Sequence, residues 1–160
     1  MNTRNILLVE DDPLDVDLTL AALDEYKLAK NVFVVHDGAE ALDYLYRRGK
    51  FKTRTGSNPM VVLLDNKMPK VSGLEVMKII KADKVLKAIP IVVLTSSREA
   101  PDLVEFYQHG ANAYVVKPVD ASEFMKAVGQ LGVFWVAVNE PLPEPGAEEP
   151  PPHNRAVTSA

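Results

Sequence analysis

The sequence predicts an α/β fold, a five-stranded parallel sheet with helices on both faces. Three observations predict it. Short apolar runs at 6–9, 32–35, 60–64, 91–94 and 113–116 are rich in Val, Ile and Leu and lack polar alternation, the pattern of strands buried on both faces. Stretches with apolar residues at helical spacing lie between the runs. Four runs also stop abruptly on a polar group: Val9 gives way to Glu10, Leu64 to Asp65, Leu94 to Thr95 and Val116 to Lys117. Strands that alternate with helices form parallel sheets through right-handed crossovers. Ligands then bind at the carboxyl ends of the strands, where the first and third flank the topological switch point.

In chain order, Ile6-Leu7-Leu8-Val9 is the first strand. Asp12-Pro13 starts a helix, with Asp as N-cap and Pro at the first helical position. Asp15 in its first turn favours the helix dipole, and the helix fades between Tyr26 and Lys30. Val32 to Val35 is the second strand. His36-Asp37-Gly38 turns into a helix from Ala39 to Arg48. Gly49 to Pro59 reads as a polar, basic, solvated loop. Met60 to Asp65 is the central strand, and a helix from Gly73 through Lys81 follows a loop carrying Lys67, Met68 and Pro69. Ala82 to Ala88 reads as a turn with a short helical piece. The fourth strand, from Ile91, ends on Thr95-Ser96-Ser97. A helix from Pro101 to His109 is closed by Gly110. The fifth strand, from Ala113, ends on Lys117-Pro118, and Asp120 caps a last helix to about Leu131. These readings define one domain over 1–131. Residues 132–140 form an apolar segment with no clear helical period, and 141–160 a Pro- and Glu-rich tail without a core of its own.

The bulk properties exclude several classes. A chain of 160 residues with 47% hydrophobic and 25% charged residues is an ordinary globular composition. A net charge of −4 argues against a nucleic-acid binder held by phosphate contacts. There is no Cys, so neither a disulfide framework nor a thiolate metal site is possible. No run approaches the roughly 18 apolar residues of a membrane span. Residues 1–5 are not a signal peptide, and a cytoplasmic location fits these features.

The polar strand ends imply chemistry. Glu10, Asp11 and Asp65 brought to one edge would repel unless one stays protonated or a cation joins them. Mg²⁺ suits such an all-oxygen set, because it takes one or two carboxylates plus phosphate oxygens and keeps several waters. A hydroxyl, Thr95, and an ammonium, Lys117, opposite that metal complete a phosphate-binding site. Asp65, central among them, can act as a nucleophile toward phosphorus.

Taken together, the acidic pair Glu10-Asp11, the signature Asp65-x-x-Met68-Pro69-x-x-x-Gly73, Thr95 and Lys117-Pro118 resemble a two-component response regulator receiver domain over roughly Asn5 to Leu131. The resemblance implies a doubly wound, flavodoxin-like (βα)5 fold with strand order 2-1-3-4-5. It implies that Asp65 accepts a phosphoryl group from a sensor histidine kinase and that hydrolysis slowly resets it; the protein is a phosphoacceptor rather than an enzyme. Asp11, Asp65 and the Lys67 carbonyl would hold Mg²⁺, with Glu10 acting mainly through water. Lys117 would pair with Asp65 and then with phosphate, Thr95 would turn its hydroxyl to the phosphate, and Tyr114 would swing inward as Thr95 moves. Lys117–Pro118 would be a cis bond. Glu10 departs from the Asp common in receivers, but its longer arm still reaches a metal-bound water. The Gly49–Pro59 loop and the absence of an output domain resemble the stand-alone regulators paired with phytochrome-type kinases, so a bacteriophytochrome is the expected kinase class.

Each residue also has a plainer reading. Asp65 alone would cap a loop, Lys117 would be a surface lysine, and Tyr114 would simply pack. Phe134 and Trp135 either finish the last helix against the core or form an arm onto a second subunit, in a homodimer that also uses the fourth helix, fifth strand and fifth helix. Two rival functions use the same residues. A dehalogenase-like phosphatase needs an acid two positions after its nucleophile, where this chain has Lys67. A receiver-like interaction scaffold would not need the site positions, all of which are intact.

Overall fold

The structure, a computed structural model, describes residues 5–96, 99–118 and 120–143. Ser97, His153 and most of the expected Pro/Glu-rich tail (144–160) lie outside the described residues. Strands β1 (Ile6–Val9), β2 (Val32–Val35), β3 (Val61–Asp65), β4 (Ile91–Thr95) and β5 (Ala113–Val116) form one parallel sheet in the order β2-β1-β3-β4-β5. Helices α1 (Pro13–Asp24), α2 (Gly38–Tyr46), α3 (Gly73–Ala82), α4 (Ala100–Gln108) and α5 (Ala121–Val133) connect and cover the strands. The doubly wound, flavodoxin-like order expected from the sequence is the order observed.

Why these residues build two layers follows from the strand period. Successive side chains alternate between faces. Leu7, Val9, Val62 and Leu64 therefore pack against α2, α3 and α4 through Leu42, Leu45, Met77, Ile80 and Phe106. Ile6, Leu8, Val61 and Leu63 pack against α1 and α5 through Leu23, Phe124 and Val128. Four helices begin on a side-chain cap: Asp12, Asp37, Ser72 and Asp120 each accept a hydrogen bond from a backbone N–H in the first turn, an arrangement that removes an otherwise unpaired donor.

Three expectations need correction. Residues 132–138 are helical: α5 runs through Val133 and widens into a π-turn, Phe134–Val138, closed by Asn139 N–H donating to Phe134 O at 2.7 Å. Bonds from i to i+5 break the 3.6-residue period, which is why the sequence pattern looks aperiodic there. Gly49–Pro59 is not simply a solvated loop. Phe51 is buried against Tyr44 and Phe33. The Arg54 guanidinium lies 4.2 Å over the Tyr44 ring and donates to Tyr44 O at 2.9 Å, and Arg47 donates to the Arg54 and Gly56 carbonyls. Two arginines thus supply the donors that the loop backbone lacks. Finally, no peptide bond among the described residues is cis, so Lys117–Pro118 is trans, the form that X–Pro bonds prefer by about 0.5–1 kcal/mol. Among the described residues, no helix is long and apolar enough to cross a membrane.

Candidate functional site

The sheet register sets the site. Val9 is level with Leu64, and Asp65 is level with Leu94. Thr95 is level with Val116. Glu10 follows Val9 and is level with Asp65, Thr95 lies one residue beyond that level and Lys117 one residue further, so all four polar groups leave the sheet at the same edge. Lys117 N–H donates to Thr95 O at 2.7 Å, which ties the last two strand ends together. Gly73 explains how the chain returns after Asp65. A Cβ there would lie 2.3 Å from Asp65 O, so only glycine lets α3 start this close to the end of β3.

Glu10, Asp11, Asp65, Lys67, Thr95 and Lys117 line one open cleft, together with Asp15. One oxygen each from Glu10, Asp11 and Asp65 lie within 4.8 Å of one another. The Lys117 ammonium enters from the β5 side. Its Nζ is 2.8 Å from Glu10 Oε2, 2.7 Å from Asp15 Oδ2 and 3.5 Å from Asp65 Oδ1. Glu10, Asp65 and Thr95 are buried, whereas Asp11 is exposed at the mouth.

The electrostatics follow from burying these groups. Desolvation pushes Glu10 up to about 7 against the opposing hydrogen bond from Lys117, and the neighbouring Asp65 charge adds to the rise. Desolvation also raises Asp65, with the Lys117 charge working against it. Burial alone would lower Lys117, but hydrogen bonds to Asp15 and Glu10 and the Asp65 charge outweigh it and raise the pKa. With Asp11 and Asp15 beside Glu10 and Asp65, the cleft holds four carboxylates and the Lys117 ammonium. Its donors are all oxygens, the set that suits Mg²⁺ or Mn²⁺ rather than a soft metal. Glu10, Asp11 and Asp65 fit a divalent ion by donor chemistry and by mutual distance.

Asp15, which on sequence alone is only a favourable charge for the helix dipole, also belongs to the cleft. It sits four residues after Asp11 in the first turn of α1. Side chains on a helix tilt toward its N-terminus, so this carboxylate reaches back over the cleft; that spacing was the available signal. Asp12 stays a cap, accepting from Leu14 N–H at 2.8 Å. Tyr114 is not among the cleft-lining residues. It is half-buried and packs on Phe106, with ring centroids 5.8 Å apart. Trp135 is half-buried against the α1/α5 core, while Phe134 faces outward; neither belongs to the cleft.

Comparison with known proteins agrees with this geometry. The response regulator receiver domain family matches residues 6–129. Response regulator Rcp1 of Synechocystis sp. is 33% identical over 131 residues, covering 82% of this chain and 88% of that protein. The Mn²⁺-bound form of Rcp1 superposes with a TM-score of 0.80 at 31% identity, covering 88% of this chain and 99% of that one. The phosphorylated cyanobacterial phytochrome response regulator RcpA superposes with a TM-score of 0.80 at 34% identity, covering 86% and 97%. The bacteriophytochrome response regulator AtBRR is 55% identical, with a TM-score of 0.69 and coverage of 86% and 98%. The fold, the convergent strand ends and these matches establish that the chain belongs to the response regulator receiver domain family.

Proposed function

We propose that this chain is a phosphorylation-controlled signalling switch whose acceptor is Asp65. The observation that carries the reading is the convergence of the Lys117 ammonium with the Glu10, Asp11 and Asp65 carboxylates at one strand-end cleft, Lys117 Nζ lying 2.8 Å from Glu10 and 3.5 Å from Asp65. An Asp65 oxygen attacks the phosphorus of a kinase phosphohistidine; the new O–P bond forms as the P–N bond breaks, and the imidazole keeps the electron pair. Asp11, Asp65 and the Lys67 carbonyl would hold Mg²⁺ directly and Glu10 through water, a site where the ion would supply charge neutralisation for the phosphoryl oxygens. Lys117 and the Thr95 hydroxyl then read the added charge of about −1.5 to −2. Tyr114 follows Thr95 and biases the surface formed by α4, β5 and α5. Water attack on the acyl phosphate slowly restores Asp65. The output is a protein contact, located in the cytoplasm and made by a homodimer.

The partner we propose is a bacteriophytochrome-type sensor histidine kinase, supported by the 55% identity to a bacteriophytochrome response regulator. Radiolabelled phosphotransfer tests both statements. A phosphorylated bacteriophytochrome kinase should label this chain faster than kinases of other sensor classes do, and Asp65→Asn should abolish the label. Label retained in Asp65→Asn would remove the acceptor assignment. Absence of any Mg²⁺-dependent response to beryllofluoride would instead favour the interaction-scaffold reading.

A further inference from the structure

We infer that Asp15 is a positioning residue that holds the Lys117 ammonium away from Asp65 until a phosphoryl group competes for it. The inference rests on the Asp65 reading above. It starts from an inequality in the geometry: Lys117 Nζ is 2.7 Å from Asp15 Oδ2 and 2.8 Å from Glu10 Oε2, but 3.5 Å from the proposed acceptor oxygen. The two short contacts are charge-assisted hydrogen bonds of ordinary length, and the long one is at the outer limit of such a bond. An ammonium has three donors, and the two best-made ones point at carboxylates other than Asp65.

Asp15 is suited to holding and releasing. Its backbone is fixed in the first turn of α1, where Asp12 Oδ1 accepts from Asp15 N–H at 3.3 Å. Its side chain is 27% exposed, against 4% for Glu10 and 10% for Asp65. Water can therefore solvate the Asp15 carboxylate once Lys117 leaves, whereas the Glu10 carboxylate would lose its partner inside the protein. Release costs less at Asp15 than at Glu10. A phosphoryl group on Asp65 presents a denser charge and more acceptor oxygens than the bare carboxylate, so Lys117 turns to it and gives up Asp15. The bond from α1 to Lys117 thus opposes the phosphorylated state and sets how readily it forms.

The test compares the unaltered protein with Asp15→Asn and Asp15→Glu. Beryllofluoride at saturating Mg²⁺ should bind Asp15→Asn on the order of three- to tenfold more tightly, the range set by one partly exposed charged hydrogen bond. Asp15→Glu, which keeps the charge, should return affinity toward the unaltered value, and a loss of fold would weaken binding rather than tighten it. Equal or weaker binding by Asp15→Asn overturns the inference. A second readout needs no ligand. The Lys117 Hζ protons should be protected from exchange in the resting protein by NMR and lose that protection in Asp15→Asn; unchanged protection also overturns it. If beryllofluoride does not bind the unaltered protein at all, the Asp65 reading fails, while the Lys117 signal still decides whether Asp15 restrains the ammonium.

Discussion

Lys117 bonds Glu10, Asp15 and Asp65, with Asp11 beside them, so the cleft is short of positive charge while these carboxylates are ionised. A divalent ion that binds only the folded arrangement must stabilise it. At tenfold above its Kd, such an ion contributes about 1.4 kcal/mol, which in a domain of this size is a rise in Tm of roughly 2–5 °C. Asp11→Asn should remove most of that gain. It also removes a repulsive charge, so without Mg²⁺ the variant should be no less stable than the parent. Thermal unfolding with and without Mg²⁺ checks both signs, and an undiminished Mg²⁺ shift in Asp11→Asn would take Asp11 out of the metal set. Most of this site is legible in the sequence because each group sits at the end of a strand, where an apolar run stops on a polar residue. Asp15 is not, because it arrives from a helix turn, and its effect depends on where a first-turn side chain leans rather than on any strand end. The trans Lys117–Pro118 bond is equally illegible: cis and trans X–Pro differ by so little that local sequence cannot choose between them.

At the scale of elements, strands and caps follow from local chemistry, and their bounds hold to within a residue or two. What the sequence does not reveal is contact between elements far apart along the chain. Gly132 is an example. In the sequence it is one glycine near a helix end, yet a Cβ there would lie 2.4 Å from Leu23 Cδ2, in the layer where α5 crosses α1. Leu23 is fully buried, so any shift of its Cδ2 displaces core neighbours. Gly129 makes a similar approach to Tyr26, with a Cβ 2.3 Å from Cε2, but Tyr26 is 45% exposed and its ring can swing outward. The two positions therefore separate packing from propensity. Glycine to alanine inside a helix gains about 1 kcal/mol, and overpacking a filled core costs about 1–3 kcal/mol. Gly129→Ala should be neutral or slightly stabilising, and Gly132→Ala should lose roughly 1 kcal/mol. Urea unfolding midpoints decide it; equal shifts in both variants would mean that α5 can slide relative to α1. The same reasoning applies to Gly49–Pro59: Arg54 reaches a ring and a carbonyl on α2, contacts that no local pattern reveals.

For the whole molecule, the question is what the C-terminal π-turn is for, and its side chains divide. Val136 is buried and Trp135 packs on the core, so this half completes the domain. Phe134, whose ring meets Trp135 edge-on, Val138 and Leu142 are 46%, 65% and 72% exposed. Leu103, Val104 and Tyr107 on α4 are exposed as well. If the proposed homodimer covers such side chains, a two-fold axis counts every contact twice. Removing the chain after Leu131 would be a poor test, because it strips Val136 and Trp135 from the core and confounds dissociation with unfolding. Phe134→Ser with Val138→Ser leaves that core intact. If each half-exposed side chain contributes about 1 kcal/mol on being covered, the doubled pair contributes about 4 kcal/mol, or roughly a thousandfold in the dimer Kd. Light scattering across a concentration series should then find the unaltered protein dimeric and the double variant monomeric, with little change in Tm beyond that caused by dissociation. A dimer that survives both substitutions would move the interface away from this segment, and an unaltered protein that stays monomeric at high concentration would dismiss the dimer itself.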